Sequence, residues 1–223
     1  MTLTDERVAR WKGWIEGPIH NDIIGMHDKR QIWRDVIGMV EANPEVANTP
    51  SAFWDWMRET YSTSQAIAIR RQADRDYRAC SLTRLIEQMR DDAPSLTRAY
   101  FLSLWDVKED PLLMRRAEDA FDALAGGGDH LDPEVPRSDL ARLRSEAGEM
   151  TRYVNEHVAH DMAEPTMVQL PTFNDMHDAI DALGTMLRKY SNLLTAGTYI
   201  TLEPTVQEHW MAIFRQPWIA PSD

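Results

Sequence analysis

The stretch RYVNEHVAHD, Arg152 to Asp161, gathers an arginine, an asparagine, two histidines and two acids into a short run. Histidine exchanges protons near neutral pH, and arginine holds a phosphate or carboxylate through parallel N–H donors. The types therefore suit acid–base chemistry on an anionic substrate. Placed on an α-helix at about 100° per residue, they separate. His157 falls on an apolar stripe with Val154 and Val158 and is expected to face the core with one nitrogen hydrogen-bonded. Arg152, Glu156 and His160 follow at i, i+4 and i+8 on a polar side, with Asn155 nearby, which predicts an Arg152–Glu156 ion pair. His160, near a helix end with Asp161 beside it, is the stronger proton-handling candidate.

The elements that must position these residues are helices. Apolar residues recur at helical spacing nearly throughout, and TYITL (198–202) is the one strand-like run. An all-α helical bundle in a single domain, 1–223, is expected, with N-terminal helices over 1–45 and a C-terminal tail, 200–223, packed on it. A long helix follows Pro18, carrying Ile19, Ile23, Met26, Trp33, Ile37 and Val40. Another starts at TPSAF, capped by Thr49 or Ser51, and turns Phe53, Trp54, Met57 and Tyr61 inward. SLTRLIEQM (81–89) and SLTRAYFLSLW (95–105) each open on a serine cap, and PLLMRRAEDAFDALAG (111–126) stops at glycines. The loop 126–139 is the expected site of mobility. From Ser138, the positions Leu140, Leu143, Ala147, Met150 and Val154 form one stripe. From Thr172, Phe173, Met176, Ile180, Leu183, Leu187, Tyr190 and Leu194 form another. Joined by a short link, these two helices should pack as an antiparallel hairpin. The tail is expected to add a last short helix that lays Trp210, Phe214 or Trp218 on the bundle.

A charge of −12 disfavours non-specific polyanion binding, so nucleic acid would need a local basic patch. The segment 66–90 offers one through Arg70, Arg71, Arg75, Arg78, Arg84 and Arg90. A single cysteine, Cys80, excludes an intrachain disulfide, and MTLTDERVARWKGW has charges where a signal peptide needs an apolar run. No apolar run reaches the ~20 residues needed to span a bilayer. A cytoplasmic protein without membrane partners is expected.

The run NEHVAHD, followed by a proline and a long helix ending in KYSNLL, resembles the signature of HEPN-superfamily proteins of the abortive-infection, AbiU-type branch. AIRRQADRDYRACSLTRLIEQM (68–89) is similar to the same branch. The resemblance implies a bundle with two long antiparallel helices and a homodimer whose two sites face each other. It further implies a metal-independent ribonuclease or RNA-binding effector in phage defence or a toxin–antitoxin system, held by a nucleotidyltransferase-like antitoxin. In such proteins an Arg and a His, four to six residues between them, cut RNA to a 2′,3′-cyclic phosphate and a 5′-OH. The resemblance thus makes Arg152, Asn155, His157 and His160 the catalytic candidates and Arg70, Arg71, Arg75 and Arg78 the RNA-binding ones. Arg152 to His157 has four spacers and Arg152 to His160 seven, while Val154 stands where an arginine would precede Asn155.

Two other readings compete. A non-catalytic interaction protein would use the same bundle and its eight tryptophans for partner binding. A metal-dependent bundle enzyme would combine His157, His160 and Asp161 with His20 or His27, but the chain lacks an HExxH or paired E-x-x-H, and no metal or cofactor is expected.

Overall fold

The protein is described from a computed structural model that covers residues 3–105, 110–159, 166–167, 169–197, 199, 201–203, 210–216 and 218. Nine α-helices run through these residues, and the only β-type pairing among them is one isolated bridge, Thr97 to His130. The architecture is the expected all-α bundle. Of the strand-like TYITL, the residues described carry no strand, and Thr198 and Ile200 lie outside the described set.

Helix α1 (Leu3–Glu16) precedes Pro18 and buries Val8, Trp11 and Ile15. It turns at Gly17, where a Cβ would sit 2.8 Å from the carbonyl oxygen of Gly13, into α2 (Pro18–Glu41). After the single turn α3 (Pro44–Ala47), α4 (Ala52–Gln72) starts at Ser51, whose hydroxyl accepts from the Phe53 amide. The C-terminal half of α4 buries Tyr61, Gln65, Ala66, Ala68 and Ile69. Its first turns do not go inward as expected. Phe53 is exposed, as is Trp56, because they overhang a surface groove of about 670 Å³ whose wall includes Ile32, Trp33, Phe214 and Trp218. The tail residues Trp210–Arg215 form a 3₁₀ turn on this side.

α5 (Leu82–Asp91) is capped by Ser81 as the sequence implies. α6 (Arg98–Ser103) is capped by Thr97, two residues past the expected Ser95, which instead closes a 3₁₀ turn. α7 (Pro111–Ala125) ends at Gly126, where φ is +94°, a value glycine adopts without strain. The following loop is shorter and better held than expected: α8 (Glu134–Tyr153) begins four residues before Ser138. The Asp132 carboxylate accepts from the Glu134 amide, while Leu131 donates to the Leu96 carbonyl and is fully buried. Arg98 donates its amide to Asp129, so the loop is stitched to the start of α6.

α9 (Phe173–Thr195) opens with a reciprocal capping box, Thr172 with Asp175, and is buried on nearly every side, which makes it the central helix. Asp139 near the start of α8 meets Lys189 and Tyr190 near the end of α9, while Met150 and Tyr153 face Phe173 and Met176 across one groove. The pair is therefore antiparallel. α2 packs on α9, α4 packs on both α8 and α9, and buried side chains of α1, α2 and α4 to α9 join one apolar cluster.

Candidate active site

The end of α8 departs from α-helical geometry. Val154–Val158 form a π turn, in which the Ala159 amide donates to the Val154 carbonyl five residues back, at 2.7 Å. A π turn acts as one residue inserted into an α-helix. The apolar stripe beyond it therefore moves on by one position, and Val158 packs against the core in place of His157. His157 is exposed, contrary to the expected core-facing role, and its ring stacks on Tyr153 with centroids 5.8 Å apart. Arg152, just before the turn, and His157, within it, are both exposed, and the extra residue of a π turn narrows the angle between them. In an unbroken helix five residues would put them about 140° apart.

Glu156 is likewise rearranged. It does not pair with Arg152, whose guanidinium reaches back to Glu149 at 2.6 Å. The Glu156 carboxylate is buried and accepts from the Thr166 hydroxyl (2.6 Å), the Thr166 amide (2.7 Å) and the Met167 amide (2.9 Å). These bonds, the Thr166 hydroxyl foremost, hold its pKa below the ordinary carboxylate value. Glu156 thus clasps the segment leading to α9 onto the π turn. Asn155 is exposed and its Oδ1 accepts from Arg70 Nε at 2.7 Å. His160 and Asp161 lie outside the described residues.

Beside the turn, a groove of about 390 Å³ runs between α4, the end of α8 and the start of α9, lined by Arg58, Tyr153, Thr172 and Phe173 among others. The basic segment is less basic than its sequence. Arg71 pairs with Asp22 (2.9 Å), Arg75 with Glu87 (2.6 Å) and Arg78 with Asp76 (2.8 Å). Arg84 and Arg90 pair with Glu87 and Asp91. Of the four candidate RNA-binding arginines, Arg70 alone has no carboxylate partner among the described residues.

A second polar cluster escapes sequence reasoning. Arg30 of α2, 5% exposed, reaches His27 Nδ1 (3.0 Å), the His177 carbonyl (3.3 Å) and Asp181 (2.8 Å), and His177 Nε2 lies 2.9 Å from the Tyr61 hydroxyl. Burial, then the Arg30 charge, lowers the His27 pKa to about 4. The same causes lower that of His177. The i, i+3 spacing of His27 and Arg30 is the one local signal, and it says nothing of α9. The cluster bolts three helices together and encloses His27, one candidate of the metal reading: one His27 nitrogen faces a guanidinium and the other packs where a Gly184 Cβ would stand at 2.7 Å. His20 sits against Asn21 and Tyr199. Among the described residues no three His, Cys, Asp or Glu side chains are grouped to hold a metal ion, and no helix is long and apolar enough to cross a membrane.

Comparison with known proteins agrees with this architecture. The family model for HEPN proteins described as AbiU2 matches residues 9–213, a span that holds α2 to α9 complete and the whole π turn. No curated protein and no solved structure matches the chain. The match runs over nearly the full sequence, and the chain belongs to the AbiU2 family of HEPN proteins.

Proposed function

We propose that this protein is a metal-independent ribonuclease of a defence or toxin–antitoxin system and that Arg152 and His157 are its working pair. The observation that supports the reading is the π turn at Val154–Val158, at which both members of the four-spacer pair, Arg152 and His157, are exposed. Family membership supports the general role, an RNA-directed nuclease or effector. Tyr153 holds the His157 ring by stacking, which limits its rotation without burying it.

In the reaction, His157 accepts the proton of a ribose 2′-OH as O2′ attacks the adjacent phosphorus. The Arg152 guanidinium, released from Glu149 by the approaching polyanion, donates to the oxygens of the phosphorane. The P–O5′ bond breaks, O5′ takes a proton from a second imidazolium, and the products are a 2′,3′-cyclic phosphate and a 5′-OH. The second imidazolium comes from another copy of the chain in a homodimer, with His160 as the alternative donor. A nucleotidyltransferase-like antitoxin remains the proposed partner that silences it.

The test is cleavage of a mixed RNA pool in EDTA with end-group analysis. Wild-type protein should leave cyclic phosphate ends, and His157→Ala and Arg152→Ala should each abolish the cut. Equal cleavage by His157→Ala and wild type would overturn the pair. A dimeric, partner-free wild type that cuts nothing would transfer the bundle to the interaction-protein reading.

A further inference from the structure

Arg70 differs from every other arginine of its segment in what neutralises it. Its neighbours Arg71, Arg75 and Arg78 each meet a carboxylate, whereas Arg70 Nε spends its bond on the neutral Asn155 amide oxygen at 2.7 Å. On a chain of net charge −12, an arginine left unmatched beside the candidate site is a local exception. Its position is also fixed, because Arg70 is half-buried in the last turn of α4 between the buried Ile69 and the exposed surface.

The bond has a consequence for Asn155. With Oδ1 accepting from Arg70, the Asn155 Nδ2 hydrogens are left as donors, and the two Arg70 Nη groups make no other hydrogen bond among the described residues. The hydrogen-bonded pair thus keeps guanidinium and amide donors unspent, with one positive charge between its two members. A phosphodiester, whose single negative charge is shared by two non-bridging acceptor oxygens and which has no donor, is complementary to that pair. A carboxylate partner for Arg70 would have cancelled it.

Resting on the ribonuclease reading, we propose that Arg70 and Asn155 form a clamp for an RNA backbone phosphate next to the one that is cut. Arg70 is the charged ligand, supplied by α4 rather than by the helix that bears Arg152 and His157. Asn155 is oriented by Arg70 and donates beside it. The clamp reads no base, so it contributes affinity and strand register without sequence preference.

The experiment measures binding of the full chain to a 2′-O-methyl RNA oligonucleotide, which lacks the attacking hydroxyl, by fluorescence anisotropy across a salt series. Arg70→Gln should weaken binding about tenfold at low salt and lower the slope of log affinity against log salt by about 0.7, the single-strand value for one phosphate contact. Arg70→Lys should keep the slope and lose part of the affinity. Asn155→Ala should weaken binding, and adding it to Arg70→Gln should cost less than the two singly, because Arg70 orients Asn155. Arg71→Gln, whose parent side chain is already matched by Asp22, should leave the slope unchanged.

An Arg70→Gln variant with wild-type affinity and slope, while His157→Ala no longer cuts ordinary RNA, would overturn the clamp and leave the catalytic pair standing. Reduced binding by Arg70→Gln with cleavage intact in His157→Ala would do the reverse. Wild-type protein that binds no 2′-O-methyl RNA would overturn the clamp whatever its activity. Thermal melts of each variant separate loss of binding from loss of fold, and Arg70→Lys carries the test if Arg70→Gln does not fold.

Discussion

His157 stands outside the core, so its removal leaves no cavity, and His157→Ala should change stability by no more than about 0.5 kcal/mol while removing cleavage. A large drop in melting temperature would mean that the ring packs inward after all. The opposite holds for Arg30, which is 5% exposed and satisfies a ring nitrogen, a backbone carbonyl and a carboxylate. Arg30→Ala strands those partners and should cost about 2–4 kcal/mol, read from denaturant unfolding. His27 adds a pH dependence with a definite sign. Its folded pKa, about 4, lies below the ordinary 6.5, so the unfolded chain binds the proton first as pH falls. The stability tied to neutral His27 is complete above about pH 6.5 and drains as pH drops towards 4, by about 1–3 kcal/mol in all. Replacing His27 with Gln should flatten that part of the stability curve, and an unchanged acid limb in His27→Gln would refute the assignment.

At the scale of elements, the hairpin of α8 and α9 is fastened at one end by Asp139, which accepts from the fully buried Tyr190 hydroxyl at 2.8 Å and pairs with Lys189 at 2.6 Å. Asp139→Ala should cost about 1–3 kcal/mol by denaturant unfolding, while Asp139→Asn should recover part of it through Tyr190. The other end is held by the Glu156 clasp. Because the Glu156 pKa is depressed, its contribution is present above the ordinary carboxylate range and is lost as pH falls through the folded value. The melting temperature of Glu156→Gln should lie below wild type at neutral pH, and the gap should close in acid. A gap that stays constant would mean that the carboxylate charge is not what holds Thr166 and Met167. The stripes that gave α8 and α9 were legible, since each apolar position from Leu140 to Val154 and from Met176 to Leu194 follows local spacing and is buried where expected. The π turn was not, because nothing in VNEHV distinguishes five-back from four-back bonding, and the choice is made by what the turn must reach: Thr166, Met167 and Arg70, the last 85 residues away. One unread residue of register was enough to exchange the roles of Glu156 and His157. Phe53 was misplaced for a related reason, since a stripe marks which residues share a side but not where the neighbouring helix stops.

For the whole molecule, the chemistry proposed here asks for a base and an acid, and the described part of one chain offers a single histidine on the π turn. A second copy would supply the other, although two chains each at −12 repel over most of their surfaces. At the turn that repulsion is reduced, because Arg70 is unmatched there and Glu156 is withdrawn into its clasp. A homodimer meeting at the ends of α8 should therefore have twice the chain mass of 25.7 kDa by light scattering, and specific activity should fall on dilution as it dissociates. Salt should act on the two associations in opposite directions. Screening relieves the repulsion between acidic copies and tightens the dimer, while the release of counterions from RNA makes substrate binding weaker as salt rises. Dimer affinity from sedimentation and RNA affinity from anisotropy, taken over one salt series, should diverge. A chain that is monomeric at every salt concentration and cuts RNA at an undiminished rate on dilution would place both proton-transfer groups in one copy and remove the need for the dimer.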